Sequence, residues 1–297
     1  MINKYFNNLF ISSGVSSYVL NSMILCAIIL MTGCKDNSKQ GSSSKEDSTS
    51  DIVLIDSVFI KSLDRWRSLR VYLPQGYKTS NELYPVIYML DGQNLFEDST
   101  SYVGEWHIDE SMDSLARLDI PNAIVIGIDN GQELRMNEYN PFDSERFGPG
   151  EGKETMDFIV NQLKPMVDSL YRTKPERAYT TLGGSSMGGL MAFYAISNYS
   201  EVFSKAIVFS PSFWVSDQVE KWIPLLLKDS KIYMSMGSEE GEEMISEMNR
   251  MIELMKESGL GQDQLRTRLV NGMGHNEKLW TMEYPKAYEF LFGKGNQ

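Results

Sequence analysis

The chain is poor in the residues that carry redox, metal and nucleic-acid chemistry. Of its 297 residues only two are cysteine and two are histidine. Both cysteines, Cys26 and Cys34, stand near the N-terminus, so the long remainder can form no disulfide and has to be held by its core alone. Basic residues number 28 against 40 acidic ones, a formal charge of −12. That excess repels the phosphate backbone and gives no attraction to anionic lipid heads, so nucleic acid is not expected as a partner. No run suggests a nucleotide site, and there is no internal repeat. The acidic stretch 239–247 lacks the alternating Asp/Asn ligands and central glycine of a calcium-binding EF-hand loop. No metal and no organic cofactor is expected.

Long hydrophobic runs are missing as well. Residues 23–31 form an apolar stretch well short of the roughly 20 residues a membrane-spanning helix requires, and small residues follow it. This resembles the core of a signal peptide. Met31-Thr32-Gly33-Cys34 looks like a bacterial lipobox, with Met where Leu is usual and Lys4 as the only basic residue of the leader. Residues 1–33 are therefore expected to be removed and Cys34 to be lipidated, anchoring the protein to a membrane on its extracytoplasmic side. Residues 34–51 are almost wholly polar, cannot bury a core and read as a solvated tether. Residues 52–297 remain as one domain, long enough to bury roughly three quarters of its unfolded surface.

What is present points to a nucleophile. Gly184-Ser185-Ser186-Met187-Gly188 is a G-x-S-x-G turn between a β-type run, 178–182, and an apolar helical run, 189–197. Strand, tight turn and helix in that order are the context of a nucleophile elbow, in which flanking glycines admit a close backbone approach and Ser186 projects its hydroxyl. A serine nucleophile needs a base. His275, in Asn271-Gly272-Met273-Gly274-His275-Asn276, follows the serine after a strand-like segment and is the candidate. His107 precedes the serine at a helix start and reads as structural or pocket-lining. The third member is an acid after the strand 232–236: Glu240 first, Glu239 second, with Glu242 and Glu243 charging the next helix start. For the oxyanion, the amide of Met187 is one donor. The other is Gln93 N–H or, alternatively, Gly92 N–H, after the apolar strand 86–90.

Strand-like runs at 52–60, 69–73, 86–90, 124–128, 178–182, 206–209, 232–236 and 265–270 alternate with helical stretches that include 155–171 and 242–258. The first two lack an intervening helix. The pattern predicts a doubly wound, mostly parallel sheet with an antiparallel N-terminal edge. In the second helix a methionine-rich stripe at helical spacing is core packing, closed by Gly259 as C-cap.

Seven segments in order, YPVIYMLDGQNLF from Tyr84, GEWHID from Gly104, IVIGIDNG from Ile124, GGSSMGGL from Gly183, FSPSFW from Phe209, MGSEEG from Met236 and GMGHNEKLW from Gly272, make the chain resemble the esterase family of α/β-hydrolases that includes esterase D, enterochelin esterases and feruloyl or acetylxylan esterases. The resemblance implies the α/β-hydrolase fold and a triad of Ser186, Glu240 and His275. Many relatives have Asp where Glu240 stands. Trp106 and Trp214 are candidate pocket residues, although each could equally plug the core. Residues 131–152, carrying Arg135, Tyr139, Pro141 and Phe142, are a candidate lid, alcohol-side wall or plain surface excursion. Arg135 could pair with a substrate carboxylate or form a structural salt bridge. The expected activity is hydrolysis of acetyl or feruloyl esters of polysaccharides through an acyl-enzyme. A siderophore lactone esterase and an acyltransferase of the same fold are the alternatives.

Overall fold

A computed structural model describes residues 50–118 and 120–293. The leader 1–33, the lipidation candidate Cys34 and the tether up to residue 49 lie outside the described residues. Ser50 and Asp51, the last two residues of the expected tether span, are among the described residues. Ser50 Oγ donates to Asp113 at 3.0 Å, and Asp51 already pairs with Leu73.

Eight strands form one sheet in the order β1-β2-β4-β3-β5-β6-β7-β8. They are β1 (Asp51–Ile60), β2 (Arg65–Leu73), β3 (Val86–Leu90), β4 (Ile124–Ile128), β5 (Thr180–Ser185), β6 (Lys205–Phe209), β7 (Lys231–Gly237) and β8 (Leu265–Val270). The β1–β2 and β2–β4 pairs are antiparallel and the other pairs parallel. This is the α/β-hydrolase arrangement with an antiparallel N-terminal edge, as expected.

The central strands are buried at every position because helices cover both faces of a parallel sheet. Their side chains alternate: Tyr88, Leu90, Ile124 and Ile126 enter one core, and Ile87, Met89 and Val125 the other. The first core lies under α3 (Gly152–Phe158), α4 (Lys164–Leu170), α5 (Met187–Asn198) and α6 (Glu242–Glu257). The second lies under α1 (Ile108–Ala116) and α7 (Glu277–Phe292), while the short α2 (Arg135–Glu138) belongs to the loop after β4. Helix α5 is apolar nearly all round, as a helix laid across the sheet centre must be. On α6 the stripe Met248, Met251, Ile252 and Met255 is buried, each contributing roughly 1.5–3 kcal/mol. Gly259, at φ 101°, closes that helix with its N–H on Lys256 C=O.

Several boundaries differ from expectation, and β2 begins at Arg65 rather than 69 because its first half pairs with β1. The helix expected over 155–171 is α3 and α4 joined by a wide π turn, Ile159–Leu163. Pro165 stands in the first turn of α4, and its missing N–H and bulky ring disrupt the regular hydrogen-bond ladder one turn earlier. Strand β5 begins at Thr180 rather than 178 and runs on through both glycines to Ser185, because β3 and β6 pair with it there. Among the described residues, no helix is long and apolar enough to cross a membrane.

Candidate active site

Three non-glycine residues with left-handed backbone angles stand at the C-terminal ends of neighbouring strands: Asp91 (φ 61°) after β3, Ser186 (φ 59°) after β5 and Ser210 (φ 43°) after β6. Each such conformation costs roughly 1–3 kcal/mol and persists only where its surroundings impose it. At Ser186 the imposition is visible. Its N–H donates to Phe209 C=O at 2.9 Å, and its C=O accepts from Ser212 N–H and Leu190 N–H at 3.2 and 3.1 Å. A Cβ on Gly184 would lie 2.8 Å from the Gly188 carbonyl carbon, and one on Gly189 would lie 2.7 Å from Phe209 O. The glycines around the serine are therefore a steric requirement. Met187 opens α5, so its N–H is among the helix-start donors that no intrahelical carbonyl accepts. Ser186 Oγ lies 3.4 Å from Ser212 Oγ.

Opposite it, His275 Nδ1–H donates to Glu240 Oε2 at 2.7 Å. The Glu240 side chain is fully buried. Its other oxygen accepts from Ser210 Oγ–H at 2.6 Å and from Gly237 N–H at 2.7 Å, which satisfies a carboxylate that burial would otherwise penalise. Ser210 Oγ in turn accepts the indole N–H of Trp280 at 3.0 Å, and the Trp280 ring meets the imidazole edge-on at 5.2 Å between centroids. Glu239, the second candidate acid, is exposed, and the structure does not bring it to the histidine. The loop carrying His275 is tied to β7 through Glu239 N–H on Met273 C=O at 2.9 Å.

Asp91 anchors a second network. Its carboxylate accepts from Arg135 Nε and Nη2 at 2.6 and 2.8 Å and from Asn130 Nδ2 at 2.6 Å. Burial opposes the charge on Arg135, yet Asp91 beside it outweighs burial and raises the guanidinium pKa. Arg135 also reaches Ser185 C=O at 3.3 Å and sits over the Tyr139 ring. The turn Gly92–Asn94 follows, and a Cβ on Gly92 would lie 2.6 Å from Gly127 C, so the turn can pack on β4 only with glycine there. Gln93 is held by its carboxamide oxygen, which accepts Asn130 N–H at 3.1 Å.

Ser186, His275, Trp280, Gln93 and Arg135 line one open cleft of about 710 Å³, with Tyr102 and Val103 on its rim. Glu277 also lines it, and burial raises its carboxyl pKa.

Several expected substrate residues are corrected. Trp106 has no exposed surface and is packed between Phe209 and Trp280, so it is a core plug out of reach of a ligand. Tyr139 is 2% exposed, and its hydroxyl accepts Asp91 N–H at 3.3 Å, which makes it a support beneath Arg135. Arg135 does line the cleft, but its guanidinium is already taken up by Asp91. Trp214 is half-buried against Phe147 and Arg146 and does not line the cleft with Ser186. Residues 131–152 form a wall: Gln132 and Glu133 border the cleft, while Phe142 stacks on Trp222 at 5.1 Å. Ser210, Trp280 and the Asp91 network were not singled out from sequence. A serine or an aspartate directly after a buried strand was the available signal, and acids and serines are common enough in this chain to hide it.

His107 caps α1 outside the cleft. With Glu105 and Glu110 it forms a group whose ligand-type atoms all lie within 4.8 Å of one another, two of the three residues being exposed.

Comparison with known proteins agrees with this architecture. The chain is 30% identical over 243 residues to the uncharacterized protein YbbA of Bacillus subtilis, covering 77% of this chain and 93% of that protein. It is 25% identical over 241 residues to an endo-1,4-beta-xylanase/feruloyl esterase of Xylanibacter ruminicola, covering 78% of this chain but only 30% of that longer protein. A solved ferulic acid esterase superposes with a TM-score of 0.65 at 18% identity, over 83% of this chain and 98% of that one. Residues 60–288 match the family described as "Putative esterase", and the chain belongs to that family of carboxylic ester hydrolases.

Proposed function

We propose that the protein is a lipid-anchored serine esterase that works through an acyl-enzyme on uncharged acetyl or feruloyl esters of polysaccharides. The observation that carries the reading is the Glu240–His275 hydrogen bond at the edge of the cleft that also holds the strained Ser186. With Nδ1–H committed to Glu240, the His275 lone pair is at Nε2. Ser186 Oγ attacks the ester carbonyl carbon as its proton passes to Nε2, and the carbonyl electron pair moves onto oxygen. The amides of Met187 and Gln93 hold that oxyanion, where a single lost donor typically costs about 10²–10³ in kcat. Collapse expels the alcohol, which takes the proton from His275. A water then repeats the sequence, releasing the acid and restoring Ser186.

Charge supports a neutral substrate over a polyanionic ferric siderophore. Around the cleft and the groove beside it, Arg67, Arg70 and Arg135 are each paired, with Glu138, Asp129 and Asp91 respectively. Asp91, Asp129, Glu133 and Glu277 line the same surfaces, so an anionic ligand would meet no surplus of positive charge among these lining residues. The xylanase/feruloyl esterase relative favours a plant polysaccharide. The lipobox-like Met31-Thr32-Gly33-Cys34 and the polar tether behind it support extracytoplasmic anchoring. A Cys34→Ser variant is expected to leave the membrane fraction, and continued sedimentation with membranes would refute the anchor.

The deciding experiment is turnover by the purified protein and its Ser186→Ala variant on methyl ferulate, acetylated xylan, a triscatecholate siderophore and an aryl acetate. Serine-dependent turnover of the feruloyl or acetyl-xylan ester is expected. Turnover confined to the siderophore would overturn the substrate class, and equal rates in both proteins would overturn the mechanism.

A further inference from the structure

The cleft with Ser186 does not end at Tyr102. A second groove of about 770 Å³ shares Gln93, Tyr102, Asn130, Gln132 and Glu133 with it and runs along the edge of β2 to Trp66. Its two largest side chains are presented to solvent: Tyr102 is 80% and Trp66 62% exposed. The Trp66 indole rests on Phe59, with centroids 5.0 Å apart, so it is a supported flat surface. Large exposed aromatics along a groove mark binding surfaces.

The floor between them is polar but charge-balanced. Arg70 is bidentate on Asp129 at 2.9 and 3.2 Å, and Arg67 is bound to Glu138. Ser68 donates to Asp56 and Thr100 to Gln93 C=O, both at 2.7 Å, which leaves their oxygen lone pairs to accept from a ligand. An acyl chain would bury these polar groups without partners, and a polyanion would face the groove's carboxylates. A chain of rings with apolar faces and hydroxyl edges fits both the aromatics and the floor.

We infer that this groove binds the glycan that forms the alcohol side of the ester, with Trp66 as the distal stacking platform and Tyr102 at the junction with the reacting centre. The inference rests on the esterase reading and extends it to a subsite that decides between polymer-linked and small esters.

The test uses the full chain with Trp66→Ala and the conservative Trp66→Phe. Two esters of one acid are compared, methyl ferulate and a feruloylated arabinoxylo-oligosaccharide, and xylohexaose binding is measured by calorimetry. In Trp66→Ala the ratio of kcat/KM on the oligosaccharide ester to that on the methyl ester is expected to fall about tenfold, the scale of one aromatic contact, mainly through KM. Trp66→Phe should restore most of it, and xylohexaose binding should weaken in parallel. An unchanged ratio, or xylohexaose binding that is the same in all three proteins, would overturn the groove. Absence of turnover on both esters with Trp66-dependent xylohexaose binding would instead leave the groove standing and remove the esterase reading.

Discussion

Ser210 donates its hydroxyl to Glu240 across 2.6 Å while its own oxygen accepts the Trp280 indole N–H. One strained residue at the end of β6 thus joins the acid after β7 to the helix after His275. Ser210→Ala removes the donor and leaves the Trp280 N–H without this acceptor. A destabilisation of about 1–3 kcal/mol is expected from the orphaned groups. Kinetically, a severalfold lower kcat is expected with KM little changed. Wild-type kcat, or an equal change in KM, would mean that Ser210 does not position the acid.

Glu240 and Glu239 are adjacent in sequence but opposite in environment, one buried on His275 and the other exposed. Glu240→Gln cannot accept equally from Ser210, Gly237 and His275, so kcat should fall by about 10²–10⁴, the scale of a lost triad acid. Glu239→Gln should stay within about twofold of wild type. Equal effects in steady-state kinetics would remove the assignment.

Asp91 and Arg135 form a partly buried pair that positions the wall of the cleft, with Asp91 5% and Arg135 22% exposed. Removing one partner strands a charge, so Asp91→Asn and Arg135→Met are each expected to cost about 3–5 kcal/mol in urea unfolding. The double variant should lose less than the sum. Additive losses would show that the two groups do not depend on each other.

A Cβ at position 237 would run into the Met273 carbonyl, in the loop that carries His275. Gly237→Ala is therefore expected to displace that loop, lowering kcat by at least tenfold while far-UV circular dichroism keeps its native shape. Native kcat in this variant would show that the loop can shift without moving the histidine.

Burial, reinforced by Glu110, raises the Asp109 pKa from 3.8 to about 7, and one of its oxygens is buried without a partner. At low pH the carboxyl is protonated in both the folded and unfolded states. As pH rises from about 4 to about 7 the unfolded chain releases that proton first, so this group lowers stability across that window and the penalty is constant above it. The drop in Tm between pH 5 and pH 8 should be smaller in Asp109→Asn than in wild type. Identical drops would show that Asp109 does not titrate in this way.

Much of the fold was legible because its signals are local. Strands β3, β4 and β8 were bounded in the sequence to the residue: β3 and β4 are apolar runs of five, and β8 is a mixed run closed by the turn residues Asn271 and Gly272. The elbow at Ser186 was legible for the same reason: glycine spacing is a steric statement about one turn. With two histidines in the chain, composition alone kept the imidazole candidates few.

The remainder depended on residues far apart in the chain. Nothing near Trp106 distinguishes a pocket wall from a core plug; that was decided when α7 brought Trp280 onto it from 174 positions away. The choice of Glu240 over Glu239 depended on which side chain the turn after β7 directs inward toward Ser210 and His275. Arg135 became an internal counter-ion because β3 and β4 are neighbours, which places the loop after β4 beside Asp91. Sequence by itself determined the elements, the turn and the kinds of reactive group, because those follow from backbone sterics and periodicity. Only the tertiary structure decided partnership and exposure, because burial, pairing and a shared cleft are properties of residues brought together by the strand order.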